Sequence, residues 1–148
     1  MTAVQAPCAG SVIAITDVED PVFAGQMVGP GVGIRPAAGR TTVVSPVSGT
    51  IVKLHPHALA MQTADGAGVL VHLGIDTVSL NGEGFELHAA DGQTLTAGDP
   101  VVTWDPADIV ARGFSSTVII VALDRPADSV TSNAIGNEVS AGDLLFEL

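Results

Sequence analysis

The 17 glycines and 9 prolines of this 148-residue chain are spread along its whole length. They cut it into short apolar runs, and few stretches remain in which a long helix fits. The longest uninterrupted apolar run, Val118 to Leu123, is too short to cross a bilayer. A chain punctuated in this way folds into many short strands joined by tight turns. Strands are expected near 11–15, 32–35, 43–45, 50–54, 58–63, 68–73, 101–104, 117–123 and 144–148. One helix reads well, from Pro106 to Arg112. Asp105 suits its cap, Pro106 its first turn and Gly113 its end, and Asp108 is placed to bond back as in a capping box.

The turns also repeat. Ala6-Pro7-Cys8-Ala9-Gly10-Ser11-Val12 parallels Ser45-Pro46-Val47-Ser48-Gly49-Thr50-Ile51. Ala97-Gly98-Asp99 parallels Ala141-Gly142-Asp143, each followed by apolar residues. Two copies of a strand-turn unit point to a pseudo-symmetric sheet or sandwich. Chance recurrence of turn chemistry is the competing account.

Hydrophobic residues make up 47% of the chain, enough for a real core, and no linker or low-complexity segment divides it. One domain over residues 1–148 is expected. Aromatics are only 3%, so Val, Ile, Leu and Ala must fill that core. The net charge of −11 disfavours nucleic-acid binding. No Lys or Arg stands between Lys53 and Arg112, where Asp65, Asp76, Glu83, Glu86, Asp91, Asp99, Asp105 and Asp108 are found. That stretch is either a solvated acidic surface or a face that steers a basic partner. Cys8 is the single cysteine, so no intrachain disulfide forms. Residues 1–7 lack the basic start and apolar run of a secretion signal, and a cytoplasmic protein without membrane insertion is expected. Gly29-Pro30-Gly31-Val32-Gly33 has neither the spacing nor the following helix of a phosphate loop and reads as a turn.

All four histidines, His55, His57, His72 and His88, lie in the base-free stretch. His57 and His72 stand at the edges of two apolar runs separated by a turn at Asp65-Gly66. If those runs pair as a hairpin, residue i faces roughly residue 131 − i. His57 then lies opposite residue 74, on one face with His72, and the imidazoles approach each other. Three readings stay open on spacing alone: structural histidines, a metal site, or nucleophilic catalysis. A metal needs a third ligand, for which Asp76 or His55 would serve, but no tight ligand motif is present. A nucleophilic imidazole suits phosphoryl transfer. Its pKa near 6.5 leaves a neutral nitrogen at pH 7, and the phosphoramidate it forms passes the group on. A second, protonated histidine would donate to the phosphoryl oxygens.

The run Val71-His72-Leu73-Gly74-Ile75-Asp76-Thr77-Val78, then Leu80-Asn81-Gly82-Glu83-Gly84-Phe85, resembles the glucose-type EIIA component of the bacterial phosphoenolpyruvate-dependent sugar phosphotransferase system. His57-Ala58-Leu59-Ala60-Met61, Pro21 to Gly29, Ser45 to Ile51, Ala97-Gly98-Asp99 and Ala141 to Phe146 match in the same order. The resemblance implies an all-β fold, an antiparallel β-sandwich or barrel-like duplicated hybrid motif with one or two short helices. It implies a covalent phosphohistidine on Nε2 of His72, with no other cofactor and no resident metal. His57 would support the phosphoryl group, and the carbonyl of Gly74 would hold the Nδ1 of His72. The donor would be HPr, a small phosphocarrier with an arginine beside its histidine. The acceptor would be a cysteine of an EIIB permease domain, serving glucose or N-acetylglucosamine. Asp20 and Asp76 would meet partner arginines, and Phe23, Val28, Leu70 and Val78 would form an apolar collar that excludes water.

Three further expectations follow from the resemblance. Enteric relatives carry Thr where His55 stands, so His55 either supports His57 or is simply exposed. A regulatory binding role is the alternative function, with zinc bridging His57 and His72 to a partner's ligand as one form of it. Met1 precedes the first expected strand closely, which suits a free-standing component, and a monomer is the default.

Overall fold

A computed structural model describes residues 2–148; Met1, at the start of the expected domain, lies outside them. In chain order the strands are β1 (Ala3–Gln5), β2 (Gly10–Ala14), β3 (Gly31–Pro36), β4 (Thr41–Val44), β5 (Gly49–His55), β6 (Ala58–Gln62), β7 (Gly68–Ile75), β8 (Phe85–Leu87), β9 (Thr94–Leu95), β10 (Pro100–Trp104), β11 (Ser115–Leu123), β12 (Glu138–Val139) and β13 (Leu144–Glu147). Two short α-helices, α1 (Pro21–Ala24) and α2 (Pro106–Ala111), and two 3-10 turns, Ile15–Asp17 and Thr77–Leu80, complete the chain.

All nine expected strands are present. Four more, β1, β8, β9 and β12, are two or three residues long and carry too little periodicity to be read in advance. α1 was also unforeseen, because four residues cannot show a helical period. α2 forms where expected. Asp105 accepts from the Ala107 N–H at 3.0 Å, and Gly113 ends the helix at φ +92°. Asp108 does not bond back as in a capping box. Its carboxylate takes the Arg112 Nε–H at 3.0 Å, one turn on, because a charged partner outcompetes the already capped helix start.

An eight-stranded antiparallel sheet runs β12-β2-β3-β11-β7-β6-β5-β9. It packs over a three-stranded sheet, β4-β10-β8, and a two-stranded one, β1-β13. Val12, Ile34, Val71, Leu73, Val118 and Ile120 from the large sheet meet Val43, Val102, Trp104, Val4 and Phe146 from the small ones. The result is an open sandwich; no closed barrel forms. Alternation along β7 sends Val69, Val71 and Leu73 into this core and leaves Leu70 and His72 on the opposite face. There Ile119 and Val121 of β11 join Ile15, Val18 and Phe23 in a second, smaller apolar cluster.

The duplication is real in its hydrogen bonds. Ala6 donates to Asp143 O (2.7 Å) and accepts from Gly142 N (2.9 Å); Ser45 donates to Asp99 O (2.8 Å) and accepts from Gly98 N (2.9 Å). The two Pro turns also cross-link: Gln5 N donates to Pro46 O and Val44 N to Pro7 O, both at 2.9 Å. Asp99 and Asp143 each bond back to a backbone N–H, of Thr96 and Ser140, at 2.8 Å.

Candidate phosphoryl-transfer site

His72 stands on β7, directly opposite Ile119 of β11 and Ala58 of β6. Ala58 occupies that place, so the hairpin register is one residue away from the expected one. His57 is opposite Leu73, whose N–H donates to the His57 carbonyl at 2.7 Å. A strict one-residue slip puts side chains on opposite faces. The rings meet nevertheless, with centroids 5.1 Å apart and planes at 73°. His57 sits in the two-residue turn between β5 and β6, outside the pleat, and the turn delivers its ring across the strand end.

The Nδ1–H of His72 donates to the Gly74 carbonyl at 2.6 Å, which leaves Nε2 with the free lone pair. Gly74 has φ +77°, and a Cβ there would stand 2.6 Å from the Thr77 methyl and 2.7 Å from the Ser115 carbonyl. Thr77 is buried and donates through Oγ1 to the Leu73 carbonyl at 2.6 Å. The peptide just before the one that holds the tautomer is thus fixed by Thr77. The sequence reading overlooked Thr77, although it lies within the run that carried the resemblance.

Burial pulls His72 below the ordinary imidazole pKa; the Gly74 bond and the carboxylates of Asp20 and Asp76 oppose that shift. Burial, with the neighbouring His72 and His55 adding to it, lowers His57 to about 4. His57 is therefore neutral at pH 7 in the unloaded site, because burial disfavours its cation and the imidazoles on either side add to that. A neutral ring still carries one N–H to donate. His55 is exposed and also stacks on His57, with centroids 5.6 Å apart and planes at 25°.

Asp20 caps α1, accepting from Val22 N at 2.8 Å, and lies close enough to His72 to act on its charge. The helix it starts brings the Phe23 ring to 5.2 Å from the His72 ring. Val28 and Leu70 pack in the same cluster as Phe23, while Val78 is 60% exposed. Val22 and Met27, the latter 78% exposed, extend this apolar surface and were missed, since only the short helix and the positive φ of Gln26 turn them outward. Glu19 fastens the segment: it accepts from Ser115 Oγ (2.7 Å), Thr117 Oγ1 (3.0 Å) and Arg35 Nη2 (3.3 Å).

The acidic stretch divides by what each acid bonds. Glu83 and Asp108 pair with Arg112, Glu86 with Arg40 and Asp91 with Lys53. Asp65 accepts from the Thr63 hydroxyl, and Asp99 and Asp105 hold turns or caps. Asp76, at φ +62° beside the histidines, is the one whose carboxylate has no bond among the described residues. His88 lies away from this site, bonded through Nε2 to Thr103 Oγ1 at 2.7 Å. Among the described residues no group of three or more potential metal ligands comes together. Nor, among them, is any helix long and apolar enough to cross a membrane.

Known proteins are similar to this chain over most of its length. The family described as phosphoenolpyruvate-dependent sugar phosphotransferase system, EIIA 1, matches residues 2–127. The glucose-specific EIIA component of Bacillus cereus is 39% identical over 141 residues, covering 94% of this chain and 84% of that protein. The glucose-specific EIICBA component of Streptococcus pneumoniae is 46% identical over 120 residues, 80% of this chain and 16% of that longer protein. The solved structure of glucose permease IIA from Mycoplasma capricolum superposes with a TM-score of 0.88 at 35% identity, covering 97% of this chain and 93% of that one. This chain belongs to the glucose-type EIIA family of the phosphoenolpyruvate-dependent sugar phosphotransferase system.

Proposed function

We propose that the protein is a single-domain cytoplasmic phosphocarrier that takes a phosphoryl group from HPr on Nε2 of His72 and passes it to a cysteine of an EIIB permease domain. The observation that carries this reading is the 2.6 Å bond from Nδ1–H of His72 to the Gly74 carbonyl, which reserves Nε2 for attack. The Nε2 lone pair forms the new N–P bond as the N–P bond of the donor breaks, and the electron pair returns to the donor's ring. The Nδ1 proton stays in its bond to Gly74, and positive charge growing on the ring is met by Asp20 and Asp76. His57 donates its N–H to a phosphoryl oxygen, and that added negative charge favours its protonation in the loaded state. His55 backs the His57 ring by stacking.

Phe23, Val28, Leu70 and Val78, with Val22 and Met27, form the apolar collar of the docking surface, with Asp20 and Asp76 at its rim to meet arginines of the donor. The relatives' glucose specificity makes a glucose-class permease the first acceptor to try, with N-acetylglucosamine next. The monomer needs no resident metal; two imidazoles leave zinc only an interfacial role, completed by a partner's ligand. Incubation with phosphoenolpyruvate, the general transfer enzyme and HPr tests the reading. Label enters the wild type, and His72→Gln abolishes it because an amide nitrogen is not nucleophilic. Normal labelling of that variant sinks the assignment.

A further inference from the structure

The two halves of the duplication differ at one strand position. In the second half β8 closes the outer edge of β10, pairing Leu87, Glu86 and Phe85 with Val102, Thr103 and Trp104, and Phe85 stacks on Trp104 at 6.0 Å. The chain then continues with His88 N donating to Val101 O at 2.8 Å. In the first half β13 takes the place of β10, with the same register shift in its pairing to β1 that β10 shows against β4. Among the described residues no third strand pairs with β13. Where His88 stood, Ser132 reaches Leu145 O through its hydroxyl at 2.5 Å, and a cavity of about 440 Å³ opens between Ser129, Thr131 and the Leu145–Glu147 edge.

Thr2 and Leu148 exchange both backbone bonds, at 2.7 and 2.8 Å. Antiparallel alternation then turns the N–H and C=O of Glu147 away from β1 and into this groove. The segment placed to fill it is pinned off the edge at both ends. Asp128 N donates to Gln26 Oε1 (2.7 Å) and Gln26 Nε2 to Asp128 Oδ1 (2.9 Å); Ser129 Oγ donates to Pro126 O (2.6 Å); Ala134 N donates to Ser132 Oγ (3.1 Å).

We propose that the outer edge of β13 is a strand-addition site for an extended segment of a partner protein reading apolar–basic–apolar. The backbone of its middle residue exchanges both bonds with Glu147, as Glu86 does with Thr103 in the other half. Its basic side chain lies beside the exposed Glu147 carboxylate, the one charged group lining the groove. Its apolar side chains enter on the face of buried Phe146, as Phe85 enters over Trp104. The volume lies within the roughly 300–1,000 Å³ of small binding sites. The groove wall is clamped to Gln26, in the loop that carries Phe23 and Met27, so an occupant also bears on the collar around His72.

The test is titration of the full-length, nitrogen-15-labelled protein with the blocked peptide threonyl-valyl-lysyl-valyl-threonine amide. The Glu147 amide signal is expected to move saturably and to gain protection from exchange. N-methylation of the lysyl nitrogen weakens binding by about fivefold or more, since one backbone bond is lost. Glu147→Lys reverses the preference toward the glutamyl peptide. No movement of Glu147 at millimolar peptide overturns the proposal. So does equal binding of the N-methylated peptide, or a Glu147 amide already bonded to residues 129–131 in the free protein.

Discussion

The two copies of the strand-turn unit agree at one end and part at the other. At the turns they are interchangeable: Ala6 with Gly142 and Asp143 repeats Ser45 with Gly98 and Asp99, bond for bond. At the far ends of the strands they diverge. β2 runs into a long connection that carries Glu19, Asp20, α1, Phe23 and Met27 before β3 begins. β5 turns back through two residues, Pro56 and His57, into β6. Both ends converge on His72, one bringing the carboxylate and the aromatic wall, the other the second imidazole. The duplicated turns thus build the frame, and the unlike ends build the chemistry.

That division makes mutations separable. The largest effect is expected at a divergent end: His57→Gln should still accept phosphate yet pass it on about 100-fold more slowly, with little change in melting temperature. Rapid-quench transfer beside calorimetry checks both halves of the statement. A His57 variant that melts early but transfers normally reverses the division. Next come the turns. Asp99→Ala and Asp143→Ala each remove a carboxylate bond to a backbone N–H and should cost about 1–2 kcal/mol apiece, equally, and without touching transfer. Urea denaturation gives both values, and a cost confined to one copy breaks the symmetry.

The smallest effect is acid sensitivity. His57 is neutral in both the folded and unfolded chain at high pH. Below its ordinary 6.5 the unfolded chain takes up the proton first, while folded His57 resists until about 4. Stability should fall as pH drops through that window, modestly because the ring is half-buried. His57→Gln should flatten part of the fall, and an unchanged slope speaks against buried His57 as its source.

The frame was more legible in the sequence than the site. Glycine-punctuated apolar runs revealed the nine longer strands because period-two patterning survives over four or more residues. β1, β8, β9 and β12 lack that length, and pairing alone defines them. The Pro-Gly and Gly-Asp repeats announced the duplication because turn chemistry is local. The meeting of His57 and His72 was foreseen for a mistaken reason. Hairpin register is a parity question, and one residue decides the face. What brought the rings together was the turn, which no periodicity describes. Asp20 shows another limit: the resemblance offered it as a charge to meet a partner's arginine, and the structure adds that it caps α1 and acts on the charge of His72. Of the acids in the base-free stretch, Asp65, Asp99, Asp105 and Asp108 each bond a residue within four positions, whereas Glu83, Glu86 and Asp91 have partners that only long-range pairing could reveal. Glu19 was invisible for the same reason, since its three partners lie on β3 and β11.

The central claim is that the Gly74 carbonyl chooses which nitrogen of His72 reacts. Nitrogen-15 and phosphorus-31 spectra of the protein labelled through HPr read that choice directly. The account predicts a phosphoryl group on Nε2 of His72, with Nδ1 protonated toward Gly74 before transfer. A phosphoryl group on Nδ1, or on any other histidine, would contradict it.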